Sequence, residues 1–539
     1  LEYWWKSANL YQIWPKSFND SNNDGVGDIN GIVEKLDYIK QNGFDAIWIS
    51  PFYKSPMVDN GYDVEDYYNV NEIFGSNDDF DKLIKECKQK GLKVLIDIVV
   101  NHTSDKHMFF QESKKSKDNY YSDFYIWRDE IPKETLQRTS IPIWTYVEER
   151  KQYYLHLFDK TQPDLNWDNP NVIKECANIL KYWLEKGVSG FRFDVIELIG
   201  KDVDKNLFEN GPSLHKNIAQ LLRQANVDKE ILTVGECWRT NEEIALQYTK
   251  PDSQELSMIF SFKHVSLTKK KIKKDWSEYN RPTADQLYES FVKYNFSIIQ
   301  KGGWLSNVFE NHDLPRSVSL YGSEKYSQNS AKTIALLQYV VPGTPCIYQG
   351  QEIGLKNFYS EDLNDFEDVD LFRKKQKLVD EEKFLSMNEF LNTINKLGRD
   401  NARRPMQWNN DVNMGFTKGK PWIRACTNQR EINVENQLKD ENSVLIFFKK
   451  LNGLRKSEYK DLFIASQLKT NNVTESLTDF SIYNEDKKIR YVGNWSDEPI
   501  EVIVKKDNKV IISFKQIELK ESIVLQPWES ILLEENKEN

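Results

Sequence analysis

The chain has 539 residues, 39% hydrophobic and 29% charged, the balance of a soluble globular protein long enough for two or three domains. A formal charge of -10 excludes generic nucleic-acid binding, and no apolar run approaches the about 20 residues of a membrane span. Five cysteines without CxxC or Cys/His metal spacing argue against a disulfide scaffold or structural zinc and favour a reducing, cytoplasmic compartment. No signal-peptide pattern is visible in a sequence that begins at Leu1 rather than Met.

The first predicted strand is Leu10–Trp14. Just after it comes DSNNDGVGD, which places side-chain oxygens at Asp20, Asn22, Asp24 and Asp28, a backbone carbonyl at Val26 and glycines at the turns. That alternation suits Ca²⁺, with Mg²⁺ as the alternative, and resembles an EF-hand loop without its terminal Glu. Its distance from the strand ends makes the expected ion structural. Further strands are expected at Ala46–Ser50, Val94–Val100, Gly190–Asp194, Ile231–Glu236, Met258–Phe262, Leu305–Glu310 and Cys346–Tyr348, separated by amphipathic stretches such as Asn77–Lys90 and Asn171–Lys186. Eight strand–helix repeats predict an α/β fold, a closed (β/α)8 TIM barrel formed by residues 1–102 and 168–458. The runner-up, an open doubly wound sheet, lacks a Gly-rich phosphate fingerprint after its first strand. Residues 103–167 read as an excursion subdomain after strand three. Ser360 to Lys396 reads as helical and surface-exposed. From 459 to 539 alternating patterns such as KIRYVGNW and KVIISFK predict a C-terminal antiparallel β-sandwich.

In such a barrel, functional side chains gather at the carboxyl ends of the strands. Those ends supply Asp97 and His102, Arg192 and Asp194, Glu236, and His312 with Asp313. Arg192 and Asp194 are two apart, so a strand projects them from one face. The fixed cation is expected to keep Asp194 ionised as a carboxylate nucleophile. One ionised and one protonated carboxyl group are the equipment of glycoside hydrolysis. The 13% aromatic content suits sugar binding and a large core equally well.

VVNH (Val99–His102), GFRFD (Gly190–Asp194), the Glu236 segment and ENHD (Glu310–Asp313) resemble the four ordered motifs of the alpha-amylase family of glycoside hydrolases. QPDLNW (Gln162–Trp167) looks like the fifth motif, which marks the oligo-1,6-glucosidase side of that family. The resemblance implies Asp194 as nucleophile, Glu236 as acid/base and Asp313 as a third carboxylate gripping sugar hydroxyls. It implies Arg192 as the residue orienting Asp194, with His102 and His312 binding hydroxyls of the cleaved glucose. Asp59 and Tyr62 would close the non-reducing end, with Arg399 paired to Asp59 so that the enzyme is exo-acting and Phe158 as a pocket wall. Family members bind calcium in the DSNNDGVGD loop.

Val195, directly after the nucleophile, resembles the α-1,6-cleaving enzymes of this branch, whereas Ala or Thr there goes with α-1,4 preference. Trp238 is placed to stack on the leaving sugar. Together with NGPSLH (Asn210–His215), these residues look most like glucan 1,6-α-glucosidases. The expected substrate is a small isomalto-oligosaccharide, and the expected state a monomer without nucleic-acid or membrane partners. Three departures limit this resemblance: Asp275 where the family has a Lys before Trp276 and SIPIWTY (Ser140–Tyr146) in place of FGGSAW, both on the acceptor side, and Arg404 in place of Thr after GRDNAR. Trehalose-6-phosphate hydrolase and a sucrose-active or sucrose-isomerising enzyme are the family alternatives. The first would need cations for a phosphate. The second usually carries an Arg-rich loop where this chain has the Lys-rich Lys269–Lys274. Transporter heavy chains share the fold without the catalytic carboxylates, which this chain retains.

Overall fold

The computed structural model describes residues 3–136, 139, 141–273 and 275–536. Eight parallel strands close into a barrel: β1 (Leu10–Ile13), β2 (Ala46–Ile49), β3 (Lys93–Ile98), β4 (Gly190–Phe193), β5 (Leu232–Gly235), β6 (Met258–Ser261), β7 (Leu305–Asn307) and β8 (Thr344–Tyr348). β8 pairs back onto β1 through Cys346 and Leu10. Each strand lies on an expected run. Side chains alternate as a two-residue period requires. Leu10, Trp48, Leu95, Val234, Phe260 and Cys346 pack together inside the barrel, while Tyr11, Ile47, Ile96, Phe191 and Ile347 join the layer under the helices. Asp97 and Arg192 continue the inward set, and register places Arg192 directly between Asp97 on β3 and Val234 on β5. Gly190 opens β4 because a Cβ there would lie 2.5 Å from the Leu232 carbonyl oxygen.

The outer helices carry their own start signals. Asn77–Gln89 begins with a reciprocal Ser76/Asp79 capping box. Pro170–Glu185 begins with an Asn169 cap and Pro170 in its first turn, and it buries Val172, Cys176, Ile179, Leu180 and Trp183 against the barrel. All five cysteines are buried and unpaired. Among the described residues, no helix is long and apolar enough to cross a membrane.

Between β3 and β4 the chain forms a three-stranded antiparallel sheet, with Gln152–Leu155 between Trp127–Arg128 and Trp144–Val147. Backbone bridges from His102 to Asp164 and from Tyr125 to Leu165 fasten it to the mouth of the barrel. After β6, Lys269–Lys273 pairs with Trp276–Tyr279 as a hairpin whose turn contains Asp275; Lys274 lies outside the described residues, as does Ser140 of the excursion. The segment Ser360–Lys396 differs from its expected surface helix. It breaks into helices Val369–Lys375 and Met387–Leu397, which bury Leu371, Phe390 and Ile394 against Trp276. Its charged residues include a buried one, Asp368.

The C-terminal strands form two sheets. Gln467–Val473, Leu477–Tyr483, Lys488–Asn494, Ser530–Glu534 and Lys509–Ile512 make the larger one, and Ile500–Ile503 pairs with Ser522–Leu525 in the smaller. Val492, Val502, Ile523, Leu525, Ile531 and Leu533 fill the space between them. Phe480, Ile482, Tyr491 and Leu532, on the opposite face of the larger sheet, join the core of the barrel.

Candidate active site

Arg192, 1% exposed, is the hub at the carboxyl end of the barrel. Its Nη1 donates to both oxygens of Asp97 at 2.9 and 3.0 Å and to Asp194 Oδ1 at 3.0 Å, and its Nη2 donates to Glu236 Oε2 at 2.5 Å. One guanidinium therefore holds the proposed nucleophile and acid/base against each other. Glu236 gathers two further donors, the backbone N–H of Val195 at 3.1 Å and the indole Nε1 of Trp238 at 2.8 Å. To donate, Val195 adopts a left-handed backbone, φ 36° and ψ 42°. A β-branched side chain is strained there, at a cost on the order of 1–3 kcal/mol.

The expected ionisation of Asp194 is not what this geometry supports. Burial and the adjacent Glu236 charge push its carboxyl group well above the ordinary range, with Arg192 opposing them. Asp97 is raised too, chiefly by burial. The cause is arithmetic: a single guanidinium serves three buried carboxyl groups and cannot offset the burial of all of them.

Asp313 is the opposite case. Burial works against its charge, but His312 (Nε2 to Oδ2 3.1 Å), Arg399 (3.3 Å) and Arg403 (3.0 Å) outweigh it and hold the carboxyl group well below the usual range. Gln12 fixes the other ring nitrogen of His312 at 2.8 Å, and Trp14 and Tyr62 stack on the ring's faces. Tyr62 also donates its hydroxyl to Asp97 at 2.8 Å.

His102 Nε2 lies 2.9 Å from the Tyr62 carbonyl, which can only accept, so Nε2 carries the proton. Asn101 Nδ2, 3.1 Å away, then donates to Nδ1. Burial lowers the ring's pKa to about 4, which keeps it neutral. Phe158 packs beside this ring at 5.2 Å. Asp59 meets Arg399 at 3.5 Å and accepts from Gln162 at 3.0 Å. The tighter partner of Arg399 is Asp368, at 2.8 and 2.5 Å. Trp238 is 37% exposed, and one face of its indole is already stacked on Phe262 at 3.9 Å, so only the other can meet a sugar.

Sequence reasoning overlooked Asp368, Arg403, Gln12, Trp14 and Lys201. The GRDNAR motif ends in Arg403 and could have signalled it; the others lie in segments without a motif. Lys201, three residues past Leu198, is buried behind His102, where it pairs with Asp164 at 3.1 Å and donates to Asn101 at 2.6 Å. Arg404 turns away from the site, donating to the carbonyls of Arg424 and Asp365.

The Asp20–Asp28 loop is folded by its own side chains. Asp20 accepts from the N–H groups of Asn22, Asn23 and Gly25, Asn22 from Asp24, and Asp24 from Val26. Asp28 is largely engaged elsewhere: it caps helix Ile29–Glu34 through Gly31 N–H at 2.7 Å and accepts from Ser21. No cluster of three His, Cys, Asp or Glu ligands occurs among the described residues. The remaining donors, Asp20, Asn22, Asp24 and the Val26 carbonyl, are all oxygens, the chemistry a hard cation takes.

The chain is similar to known proteins over nearly its whole length. It is 39% identical over 536 residues to a glucan 1,6-alpha-glucosidase of Streptococcus pneumoniae serotype 4, covering 99% of both chains. It is 39% identical to an oligo-1,6-glucosidase of Heyndrickxia coagulans, covering 98% of this chain and 99% of that one. Among solved structures, a trehalose-6-phosphate hydrolase of Bacillus licheniformis superposes with a TM-score of 0.89 at 36% identity, covering 99% of this chain and all of the other. With the alpha-amylase catalytic domain matched over residues 12–463 and the carboxylate cluster at the barrel mouth, the chain belongs to the alpha-amylase family of glycoside hydrolases.

Proposed function

We propose that the protein is a retaining, exo-acting α-glucosidase that releases glucose from the non-reducing end of α-1,6-linked isomalto-oligosaccharides. The observation that carries this reading is the Arg192 bridge between Asp194 and Glu236. Asp194 and Glu236 also act directly on each other, a proximity that suits a covalent glucosyl-enzyme, whereas inversion needs a separation of about 6.5–9.5 Å for its interposed water. In the reacting form the proton of the cluster lies on Glu236: Asp194 attacks the anomeric carbon as the carboxylate while Glu236 gives that proton to the departing oxygen. Glu236 then takes a proton from water, and that water cleaves the glucosyl ester, returning both groups to their starting forms. Asp313, held ionised by His312, Arg399 and Arg403, accepts from sugar hydroxyls. His102 contributes a neutral ring whose Nε2–H meets the Tyr62 carbonyl. The Asp59–Arg399 contact closes the pocket behind the first sugar. Val195 adds a branched side chain where the acceptor sugar approaches, and the two relatives named for α-1,6 activity support the bond assignment.

In the Asp20–Asp28 loop, Asp20, Asn22, Asp24 and the Val26 carbonyl would hold calcium, with Asp28 reaching it only through an oxygen that also caps a helix. Such an ion neutralises the loop and supplies no catalytic chemistry.

Assaying isomaltotriose beside trehalose 6-phosphate tests the function, with the anomer of the first glucose read by NMR. Release of α-glucose from isomaltotriose is expected. Activity on the phosphate alone would overturn the substrate assignment, and initial β-glucose would overturn retention.

A further inference from the structure

A second acidic side chain lies under the acid/base and is absent from the mechanism above. Glu197, three residues after Asp194, is 4% exposed, yet among the described residues it forms no salt bridge and its largest electrostatic neighbours are acidic. Its Oε2 accepts the backbone N–H of Arg239 at 2.8 Å, and the backbone N–H of Trp238 lies near enough to favour its charged form. These are the residues that follow Glu236 where the chain leaves β5. The same turn is tied again by Asn210, which donates its backbone N–H to the Glu197 carbonyl at 3.0 Å and its side-chain amide to the Arg239 carbonyl at 2.7 Å. Trp238, held by its backbone from below, donates its indole N–H to Glu236 Oε1 at 2.8 Å. The chain of contacts runs from Glu197 through the Trp238–Arg239 turn and the Trp238 indole to the carboxyl oxygens of Glu236.

We infer that Glu197 is a positioning residue for the acid/base: its carboxylate anchors the Trp238–Arg239 turn, and through the Trp238 indole it aims Glu236 at the glycosidic oxygen. The inference rests on Glu236 as the acid/base, but on no particular glycosidic bond. A buried anion without a cation is costly, and backbone N–H groups at a turn are what can offset it. Its surroundings make it a titrating anchor. Glu236 and Cys237 face it from the end of β5, Tyr248 from the helix Glu242–Thr249, and Glu209 from the preceding loop, all acidic or neutral. Burial, opposed by the two backbone donors, raises Glu197 to about 7. The anchor is therefore fully charged only on the alkaline side of neutrality.

The test compares kcat/KM, which reports the first chemical step, on isomaltotriose and on α-glucosyl fluoride, whose fluoride leaves without a proton. In Glu197→Ala, a misaimed acid lowers kcat/KM on isomaltotriose about tenfold more than on the fluoride, a part of the 10²–10⁴-fold that a general acid supplies. In Glu197→Gln the anchor keeps an acceptor but loses its charge. Because a nearby anion favours the protonated form of an acid, the basic limb of its pH profile moves about half a unit or more to lower pH. Equal losses on both substrates, or an unmoved limb in Glu197→Gln, overturn the inference. If Glu197→Ala does not fold, the Gln profile decides alone. Wild-type activity on the fluoride with none on isomaltotriose would defeat the α-1,6 reading and leave this one standing, with the limb read on an aryl α-glucoside.

Discussion

At the scale of single residues, the site is governed by how many carboxyl groups one cation must serve. Arg192 neutralises Asp97, Asp194 and Glu236 only in part, and burial with the neighbouring Glu236 charge raises the Asp194 carboxyl group well above its ordinary range. This has a thermodynamic consequence. Below its unfolded pKa of about 3.9 Asp194 is protonated in both states and costs nothing. As pH rises, the unfolded state releases that proton while the folded state, with its raised pKa, retains it, so stability falls through this window up to the folded pKa. Asp194→Asn removes the titration. We expect it to lose activity by several orders of magnitude, as loss of a nucleophile does. Its thermal midpoint should exceed the wild type's at pH 7.5 by about 1–3 °C, with the gain shrinking towards pH 4. Differential scanning calorimetry across that range decides the matter; a midpoint gain that is constant with pH would contradict the account.

At the scale of elements, the loop Asp20–Asp28 links the start of the barrel to the segment that carries Arg399 and Arg403. Thr417 donates to Asp20, the Trp422 N–H to the Gly25 carbonyl, and the Met406 N–H to the Ser17 carbonyl. Gly25 has φ 94°, and a Cβ there would meet the Lys420 carbonyl, so the two strips of chain interlock closely. An ion that fixes the loop would thus brace the arginines of the pocket from outside. Calcium is expected to raise the thermal midpoint of the wild type and chelation to lower it, with kcat at 25 °C unaffected. Asp24→Ala should abolish the calcium-dependent shift while leaving kcat unchanged. A midpoint insensitive to calcium and chelator would remove the ion from the description.

Legibility in the sequence follows these two scales. The barrel strands were readable because each is a short apolar run, and the inward carboxylates because two-residue periodicity extends past the strand ends to Asp194 and Glu236. Asp368 was not readable: it lies in a charged segment whose broken helices are buried through contacts distant in sequence. Nor was the left-handed Val195, whose conformation is imposed by Glu236 accepting its N–H rather than by local preference. The strand Gln467–Val473 escaped notice because it lies at a sheet edge and is mostly exposed on both faces, leaving no apolar alternation to read.

At the scale of the whole molecule, the C-terminal sheets are part of the barrel's outer wall. Helix Ser327–Val340 is buried at every position from Ser330 onward, because the barrel covers one side and the large sheet the other. Thr333 on that helix donates to the Trp528 carbonyl at 2.7 Å and bonds Ser530 at 2.9 Å, while Tyr491 donates back to the Thr333 carbonyl at 3.3 Å. Trp528 is 1% exposed, its ring edge-on to Trp495 and covered by the Arg281 guanidinium. A chain ending before Gln467 would leave Tyr288, whose ring meets Phe480, and the face of helix Ser327–Val340 that carries Thr333 against water. Such a truncation is expected to aggregate even though every residue of the carboxylate cluster remains. The point variant Trp528→Ala isolates the seam: removing a buried Trp costs about 3–5 kcal/mol. In urea it should lower the unfolding midpoint of the barrel and the sheets together, followed by tryptophan fluorescence and by loss of glucosidase activity. Coincident transitions mean that the sheets and the barrel fold as one unit. A variant whose sheets melt while activity persists would show the C-terminal domain to be separable.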